Sequence, residues 1–241
     1  MVFYHLFGFL SLVYLFAYGH LPHFIFLFIF HFIHVSLASS AMYHRYLAHK
    51  SWAPPRWFEY FTTILAITGC YGSSIAWAST HREHHKFSDN EKDPHSPHIH
   101  SVLYVFFGVF YRPVNIKLVT DLMRDKFHIF VHKHYFKILF GLPLFAFIFL
   151  DPLWAIVITV GQGSLAYFTA GGLLNTICHK FGYRNYETKD YSTNNFWLGY
   201  LLYGEGWHNN HHYSSHLANF SSKNWWEFDL TYKIICLLNS K

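Results

Sequence analysis

Charged side chains are scarce in this sequence. Asp, Glu, Lys and Arg make up 13% of its 241 residues, whereas soluble domains carry roughly 25%. Hydrophobic residues make up 52% and aromatic residues 22%. A soluble fold would need more polar surface than this chain can supply. The composition therefore indicates a protein whose outer surface is largely solvated by lipid.

Cysteine is also rare, and no two cysteines are close together in the chain. Cys70, Cys178 and Cys236 include no CxxC pair, which excludes a disulfide framework and a zinc ribbon. We expect all three to be small buried hydrophobic residues, because free cysteines usually behave in this way.

Four hydrophobic runs predict four transmembrane helices within a single domain, residues 1–241. The second run would extend about 34 Å as a helix, which is enough to cross the hydrocarbon core. The N-terminal run has neither the basic segment nor the cleavage site of a signal peptide, so we interpret it as the first span. The spans are predicted at about residues 2–18, 21–43, 135–150 and 152–178, and the cap is formed by residues 44–134 and 179–241.

Basic residues are distributed unevenly along the chain. Residues 1–43 contain no Lys or Arg, whereas residues 44–134 contain eleven and residues 180–241 contain six. Under the positive-inside rule, the two basic segments face the cytoplasm. The net charge of +5 is then explained by membrane topology and needs no nucleic-acid partner.

A fifth hydrophobic stretch, Trp57–Ala78, is long enough to cross but is interrupted by Glu59, glycines and serines. If this stretch crossed the membrane, it would place the histidine motifs on either side of it on opposite faces. We therefore expect it not to cross.

Histidine is abundant, with 21 residues, and several histidines are grouped. The HxxHH boxes "HREHH" and "HNNHH" have the spacing i, i+3, i+4, which places three imidazoles on one helix face. His44 and His49 are five residues apart and about 140° apart round an α-helix, so they should reach different metals or lie on a broken helix. The candidate ligands are His44, His49, His81, His84, His85, His179, His208, His211 and His212, together with Asn175.

Nine imidazoles exceed the shell of one ion, so the motifs predict two. Imidazole suits iron, copper, zinc and nickel. For the remaining histidines we expect less specific roles. Helix-to-helix hydrogen bonds are expected for His5, His20, His23, His31 and His34. Headgroup contact is expected for His95, His98, His100, His128, His132 and His134, and His216 is left open.

In their order and between those spans, "HRYLAH", "THREHHKFSDNEKDPHSP", "NTICH" and "GEGWHNNHH" resemble the integral-membrane acyl desaturases of the stearoyl-CoA (Δ9) type. The resemblance runs from about Tyr43 to Tyr213. It implies an all-α membrane protein with four transmembrane helices, a cytoplasmic helical cap and a di-iron centre held by the nine histidines. Asn175 would reach one iron through water.

The resemblance also implies the chemistry. An O2-dependent fatty acyl desaturase would place a cis double bond, at Δ9 by the resemblance, in a saturated chain. Removing hydrogen from an unactivated methylene needs an oxidant that no side chain supplies. The sequence has no HPGG haem-ligating signature, so we expect a separate electron donor, ferredoxin or cytochrome b5. The membrane would be the bacterial inner membrane or the endoplasmic reticulum.

One departure from the family pattern bears on the acyl carrier. Relatives that use acyl-CoA have an Arg-Asp pair just before the second box, where this chain has Ser79 and Thr80. The substitution removes a phosphate-binding charge. It favours an acyl-lipid or an acyl-carrier-protein substrate over acyl-CoA.

The resemblance also implies positions for substrate contacts. Residues three to four turns before the first box cap the acyl tunnel in the family, which here selects Phe28 and Phe32. Packing against the first span or lipid is an equal alternative for both. We also expect Trp77 to contact substrate.

Three acidic residues near the later motifs could orient the imidazoles. Glu187, Asp190 and Glu205 are candidates for this role, although salt bridges with Lys or Arg explain each equally well.

Two other function classes stay open at this point. A membrane di-iron hydroxylase or ketolase acting on an alkane, a sterol or a carotenoid would share the HxxHH boxes, and its alcohol or ketone product would distinguish it. A histidine-rich metal transporter would need polar ligands near the bilayer midplane, where only His31 and His34 lie.

Overall fold

The regular secondary structure is helical throughout the part of the chain that the computed structural model describes, residues 2–107, 113–157 and 161–239. Two isolated β-bridges join Tyr183 to Asn194 and Asn194 to Trp207. The first helices are α1 (Val2–Tyr18), α2 (Leu21–Ala48), α3 (Arg56–Thr68), α4 (Ser74–Phe87), α5 (Val102–Phe107), α6 (Lys126–Lys133) and α7 (Tyr135–Phe149). They are followed by α8 (Pro152–Ile156), α9 (Gln162–Ala166), a π segment (Tyr167–Leu173), α10 (Leu174–Ile177), α11 (Phe196–Leu201), α12 (His208–Tyr213) and α13 (Leu230–Asn239).

The long helix α2 has two kinds of hydrogen bonding. Its first half, Leu21–Phe32, is α-helical and has a proline in its first turn, a position where a missing N–H costs nothing. Its second half, Ile33–Ala48, is π-helical, with hydrogen bonds from residue i+5 to residue i. The predicted span ended at residue 43, but the helix continues, so His44 lies within it.

Residues 57–78 form a helical hairpin and not one continuous helix. Helices α3 and α4 are joined by a turn in which Cys70 has φ 61° and Gly72 has φ 91°. Helix α3 packs along the π-helical half of α2, where Thr68 Oγ1 lies 2.8 Å from His34 Nε2. Helix α4 then brings the second histidine box back along the same half of α2.

The four-span prediction is only partly reproduced. Among the described residues, one helix, Leu21–Ala48, is long and apolar enough to cross a membrane, and His5–Tyr18, Tyr135–Phe149 and Leu230–Asn239 are shorter apolar helices. The predicted fourth span is divided among α8, α9, the π segment and α10, and residues 158–160 within it lie outside the described part. The structure therefore supports a mostly helical fold with one clear candidate span.

The core is centred on the π-helical half of α2, which packs against α3, α4 and α13. The opposite end of the molecule has a smaller cluster around Leu15, Leu27 and Val157. Many apolar side chains of α1 and α7 are exposed, as expected for surfaces that face lipid. Cys70 and Cys178 are buried as predicted, but Cys236 is exposed.

Candidate metal centre

The histidine motifs converge into two adjacent groups. In each group, one potential ligand atom from every residue lies within 4.8 Å of the others. All nine candidate histidines belong to one of the two groups. The first group is His44, His49, His81, His85 and His211, and the second is His84, His179, His208 and His212.

Each HxxHH box is shared between the two groups. Helix α4 supplies the i, i+4 pair His81 and His85 to the first group and His84 to the second. Helix α12 does the reverse, with His208 and His212 in the second group and His211 in the first. The sequence predicts that the three imidazoles of each box share a helix face, but not how they divide between two ions.

His44 and His49 decide between the two predicted alternatives: they do not belong to different groups, and the helix that carries them departs from α-helical geometry. They belong to the same group, whereas an α-helix would have turned them apart. The π-helical end of α2 explains the difference, since the His49 N–H donates to the His44 carbonyl oxygen at 3.2 Å. This wider turn brings residues five apart onto the same side of the helix.

The nitrogen atoms are spaced as metal ligands would be. The Nε2 atoms of His44 and His211 lie 2.8 Å apart, those of His49 and His81 lie 2.9 Å apart, and the Nε2 atoms of His85 and His211 lie 3.0 Å apart. Two nitrogens bound to one ion at about 2.0–2.1 Å and at a right angle are separated by about 3 Å. The donor set therefore fits two transition-metal ions.

Four carboxylates accept hydrogen bonds from the Nδ1–H groups of histidines in the two groups. The Nδ1–H group of His44 donates to Glu205 at 2.6 Å and that of His212 donates to Asp190 at 2.7 Å. Asp190 and Glu205 thus contact imidazoles, which is one of the two roles predicted for them, and Glu205 also lies 3.7 Å from Arg45 Nη2, as the other role predicted. The corresponding bonds of His84 and His179 are to Asp93 at 2.9 Å and to Asp89 at 2.8 Å.

These hydrogen bonds fix the tautomer that leaves Nε2 for the metal. Sequence reasoning missed Asp89 and Asp93, although both lie in the "SDNEKD" segment that follows the second box. Glu187 is exposed, and none of the hydrogen bonds in the described part of the chain joins it to a histidine.

Hydrogen bonds favour the ionised carboxylate of Asp89, and burial favours the neutral imidazole of His212. Burial by itself would raise the pKa of Asp89, but hydrogen bonds from His179, Ser96 and the Tyr191 backbone outweigh it and hold the pKa at about 2. Desolvation lowers the pKa of His212 to about 4, against the opposing effect of Asp190. Ligand imidazoles must be neutral to bind a metal, so the site is poised for binding at neutral pH.

The asparagines of "HNNHH" position helix α12. Asn209 and Asn210 are buried, and their backbone N–H groups donate to Asn194 Oδ1 at 2.9 Å and 3.2 Å. The Nδ2 atom of Asn210 donates to Glu227 Oε2 at 2.9 Å. The chain thus fixes the third histidine box through residues that sequence reasoning did not select.

A cavity of about 670 Å³ adjoins both metal groups. Its wall includes the predicted residues His44, His81, His208 and Asn175. Asn175 donates from Nδ2 to the Gly171 carbonyl oxygen at 2.8 Å, and its water-mediated role stays a prediction. The more buried part of the wall is formed by Cys70, Tyr71, Tyr167 and Leu174.

The predicted substrate contacts have different outcomes. Trp77 lines the cavity and stacks on His81 with ring centroids 4.7 Å apart. Phe28 and Phe32 do not line it, which corrects their assignment to the tunnel end. Phe28 is 68% exposed, and Phe32 packs edge-on against Tyr203.

The reason for this correction is the helix geometry. Helix α2 reaches the cavity through Ser39 and His44, five residues apart, which is the π-helical spacing. Counting α-helical turns back from His44 therefore selected residues on a face of α2 that does not line the cavity.

Several loop histidines are also placed differently from the prediction of headgroup contact. His128 is buried and lies between Ser74 Oγ at 2.9 Å and Glu59 Oε1 at 3.0 Å. His95 is buried and stacks on His84 with ring centroids 4.2 Å apart.

His98 and His100 instead bond to the backbone of the site. The Nε2 atom of His98 donates to the His179 carbonyl oxygen at 2.6 Å, and that of His100 donates to the Asp93 carbonyl oxygen at 2.9 Å. By contrast, His31 and His34 make the predicted bonds between helices, to Thr169 at 2.9 Å and to Thr68 at 2.8 Å.

Sequence comparison identifies the family. The model of the family described as "Fatty acid desaturase" matches residues 18–235. The chain belongs to the fatty acid desaturase family. This desaturase is accordingly an oxidoreductase of lipid metabolism, and its two histidine groups are each able to hold a metal ion.

Named relatives are similar over most of the desaturase chain. Delta-9 acyl-lipid desaturase 2 of Arabidopsis thaliana is 34% identical over 83% of this chain and 66% of its own length. The sn-1 stearoyl-lipid 9-desaturase of Anabaena variabilis is 34% identical over 81% of this chain and 73% of its own length. Acyl-CoA 5-desaturase AL21 of Anemone leveillei is 32% identical over 81% of this chain and 62% of its own length. The desaturase chain therefore spans about two thirds of the length of these relatives.

Proposed function

We propose that this desaturase introduces a cis Δ9 double bond into the saturated acyl chain of a membrane lipid. The observation that carries the proposal is the cavity of about 670 Å³ whose wall includes buried tyrosines and residues of both histidine groups. Its volume lies within the range of about 300–1,000 Å³ typical of small-molecule sites. Relatives named as Δ9 acyl-lipid and stearoyl-lipid desaturases support the position and the carrier.

The metal is proposed to be iron, two ions per chain, held by the nine histidines. A reduced di-iron centre, when bound, supplies the oxidising power from O2 that removes two hydrogens from a methylene pair. Asn175 would complete one shell through a water molecule. The two electrons would come from a separate ferredoxin or cytochrome b5.

The protein itself contributes by positioning the acyl chain beside the metal group. The cavity wall excludes water from the acyl chain, and Trp77, stacked on His81, limits which methylene can lie beside the metal group. Holding a reacting bond at one place is worth several orders of magnitude in rate. The hydrogen bonds of Glu205 and Asp190 keep His44 and His212 oriented while this happens.

The carrier is proposed to be a lipid because of the residues that replace the Arg-Asp pair. Ser79 is buried, and its Oγ accepts the Asn115 N–H at 2.9 Å. An arginine at this position would have to displace the chain at Asn115. Thr80 lies on the cavity wall and contributes no charge.

We further propose a multi-pass protein with four transmembrane helices and an active site that faces the cytoplasm. The apolar helices α1 and α7 and the long helix α2 support it, as does the excess of Lys and Arg in the cap segments.

The test is expression in a host that lacks desaturases, followed by lipid analysis for new double bonds. We expect cis Δ9 alkenes esterified in membrane lipids. An alcohol or ketone product would instead show a hydroxylase or ketolase. Double bonds only in the acyl-CoA pool would contradict the proposed carrier.

A further inference from the structure

The cavity has an exposed side at the junction of α6 and α7. His132, Lys133 and Phe136 are exposed and also line the cavity. Lys133 ends α6, and α7 begins at Tyr135. The cavity therefore opens on the surface where the apolar helix α7 starts.

This opening lies at the level expected for lipid headgroups. Helix α7, Tyr135–Phe149, is apolar and exposes most of its large side chains. Basic residues at the end of an apolar helix extend toward the headgroups while the helix stays in the hydrocarbon. Lys133 and Lys137 occupy such positions at the start of α7.

The rim of the opening is cationic and polar. None of the ion pairs in the described part of the chain involves Lys133, so its ammonium group is available to an anion. One residue before it, His132 Nδ1 lies 2.6 Å from Ser73 Oγ. Ser73 also caps α4 by accepting the Ala76 N–H at 3.3 Å, which fixes the Ser73–His132 pair at the inner edge of the rim.

The distance from this rim to the metal group matches a Δ9 substrate. Ser73, the N-cap of α4, precedes His81 of that helix by eight residues, or about 12 Å at 1.5 Å per residue. A stretched chain advances about 1.2 Å per bond, the rise of an extended polypeptide divided by its three backbone bonds. The eight bonds from an ester carbon to C9 then span roughly 10 Å.

We propose that Lys133, at this lateral opening, binds the phosphate of a glycerophospholipid whose acyl chain enters the cavity directly from the bilayer. The ester group would lie at the Ser73–His132 pair and the acyl chain would continue past Trp77 to the histidine groups. The inference rests on the proposed function and adds to it the headgroup site and the route of entry.

The experiment uses the full metal-loaded desaturase in vesicles. Substrates are stearoyl phosphatidylglycerol, an uncharged galactolipid with the same acyl chains, and stearoyl-CoA. The variants are Lys133→Gln and Lys133→Arg. Lys137→Gln is the matched control, because Lys137 is exposed on the next helical turn and does not line the cavity.

For Lys133→Gln we expect a threefold to tenfold rise in KM for phosphatidylglycerol, since one charge-assisted hydrogen bond is lost. We expect kcat to change less than twofold, because the interaction is made equally before and during the reaction. Lys133→Arg and Lys137→Gln should behave like the unmodified chain, and the galactolipid KM should not change.

Binding is measured separately from turnover. Purified protein in neutral detergent is equilibrated with labelled phosphatidylglycerol, and we expect Lys133→Gln to retain at least threefold less lipid. Inorganic phosphate should not displace the lipid, because the free ion lacks the acyl chain that fills the cavity. Displacement by inorganic phosphate would overturn the proposal of a lipid headgroup.

Three further results would overturn the inference: a KM change for stearoyl-CoA alone, an equal change for phosphatidylglycerol and the galactolipid, or no change in any substrate. These results differ from failure of the proposed function. In that case no alkene would form, or alkenes would form from stearoyl-CoA only, whereas here alkenes would form from phosphatidylglycerol with an unchanged response to Lys133.

Discussion

Asp190 shows how one carboxylate orients a candidate metal-ligating histidine. Its Oδ2 accepts the His212 Nδ1–H at 2.7 Å, and its Oδ1 accepts hydrogen bonds from Ser192 and Thr188. Burial would raise the pKa of Asp190, but the His212 hydrogen bond and the two hydroxyls lower it well below the usual range. The carboxylate therefore stays ionised and holds His212 with Nε2 toward the second group.

We expect Asp190→Asn to lower metal affinity about 10–100-fold, the usual cost of losing a carboxylate behind a ligating histidine. The measurement is metal retention against increasing chelator. Glu187→Gln is the matched control, because Glu187 is exposed nearby and should not change retention. Equal retention in both variants would mean that Asp190 does not orient His212.

Tyr167 is the residue expected to set acyl chain length. It is buried in the cavity wall, and its hydroxyl has no hydrogen-bond partner in the described part of the chain. Tyr167→Ala should extend the cavity and shift the products toward longer chains, since each buried methylene contributes about 0.8 kcal/mol.

The chain-length test compares product profiles on mixed saturated acyl chains. Phe28→Ala serves as the control, because Phe28 is exposed and does not line the cavity. A shift in Phe28→Ala without one in Tyr167→Ala would place the closed end of the cavity on α2 after all.

The turn before α12 depends on glycines that allow two segments to touch. A Cβ on Gly206 would lie against the backbone of Leu198 and Gly199, and a Cβ on Gly199 would lie against the Trp207 indole. Gly204 has φ +120°, a conformation that residues with a side chain rarely adopt. The glycines of "GEGW" thus let Trp207 pack on α11 and place His208 at the start of α12.

Gly206→Ala should displace α12 and abolish activity, with a loss of metal from both groups, because α12 supplies ligands to each. Metal analysis and the thermal midpoint of the purified variant provide the measurement. Gly141→Ala in α7 is the matched control, since a Cβ there meets nothing within 4 Å and alanine favours a helix. Normal metal content in Gly206→Ala would contradict the packing argument.

The metal site joins parts of the chain that are distant in sequence. The candidate ligands come from α2, α4, the segment after α10 and α12, so ions bound there would hold the cap together. A ligand that binds only the folded state stabilises it by mass action. Removing the metal should therefore loosen the cap more than the cluster around Leu15 and Leu27.

We expect two equivalents of iron in the loaded protein and none after chelation. Limited proteolysis should then cut the chelated protein in residues 44–134 or 179–239 and leave α1 and the α-helical half of α2 intact. Refilling with iron should restore resistance. One equivalent of metal per chain, or cleavage that chelation does not change, would contradict two structural ions in the cap.

The histidine motifs could be recognised from sequence because their spacing is local. The i, i+3, i+4 pattern places three imidazoles on one helix face whatever surrounds the helix. Reliance on local spacing also explains the predictions that were wrong. Phe28 and Phe32 were placed by α-helical counting, and the π hydrogen bonds of α2 shifted the faces.

Composition and motif spacing by themselves indicated a lipid-facing surface, nine candidate metal-ligating histidines and the family resemblance. Tertiary structure alone decided which histidines are grouped together, which carboxylates accept their hydrogen bonds and where the cavity opens. Asp89 meets His179 and Glu205 meets His44 across 90 and 161 residues. Such contacts depend on how helices cross in space, which the local periodicity of a sequence does not specify.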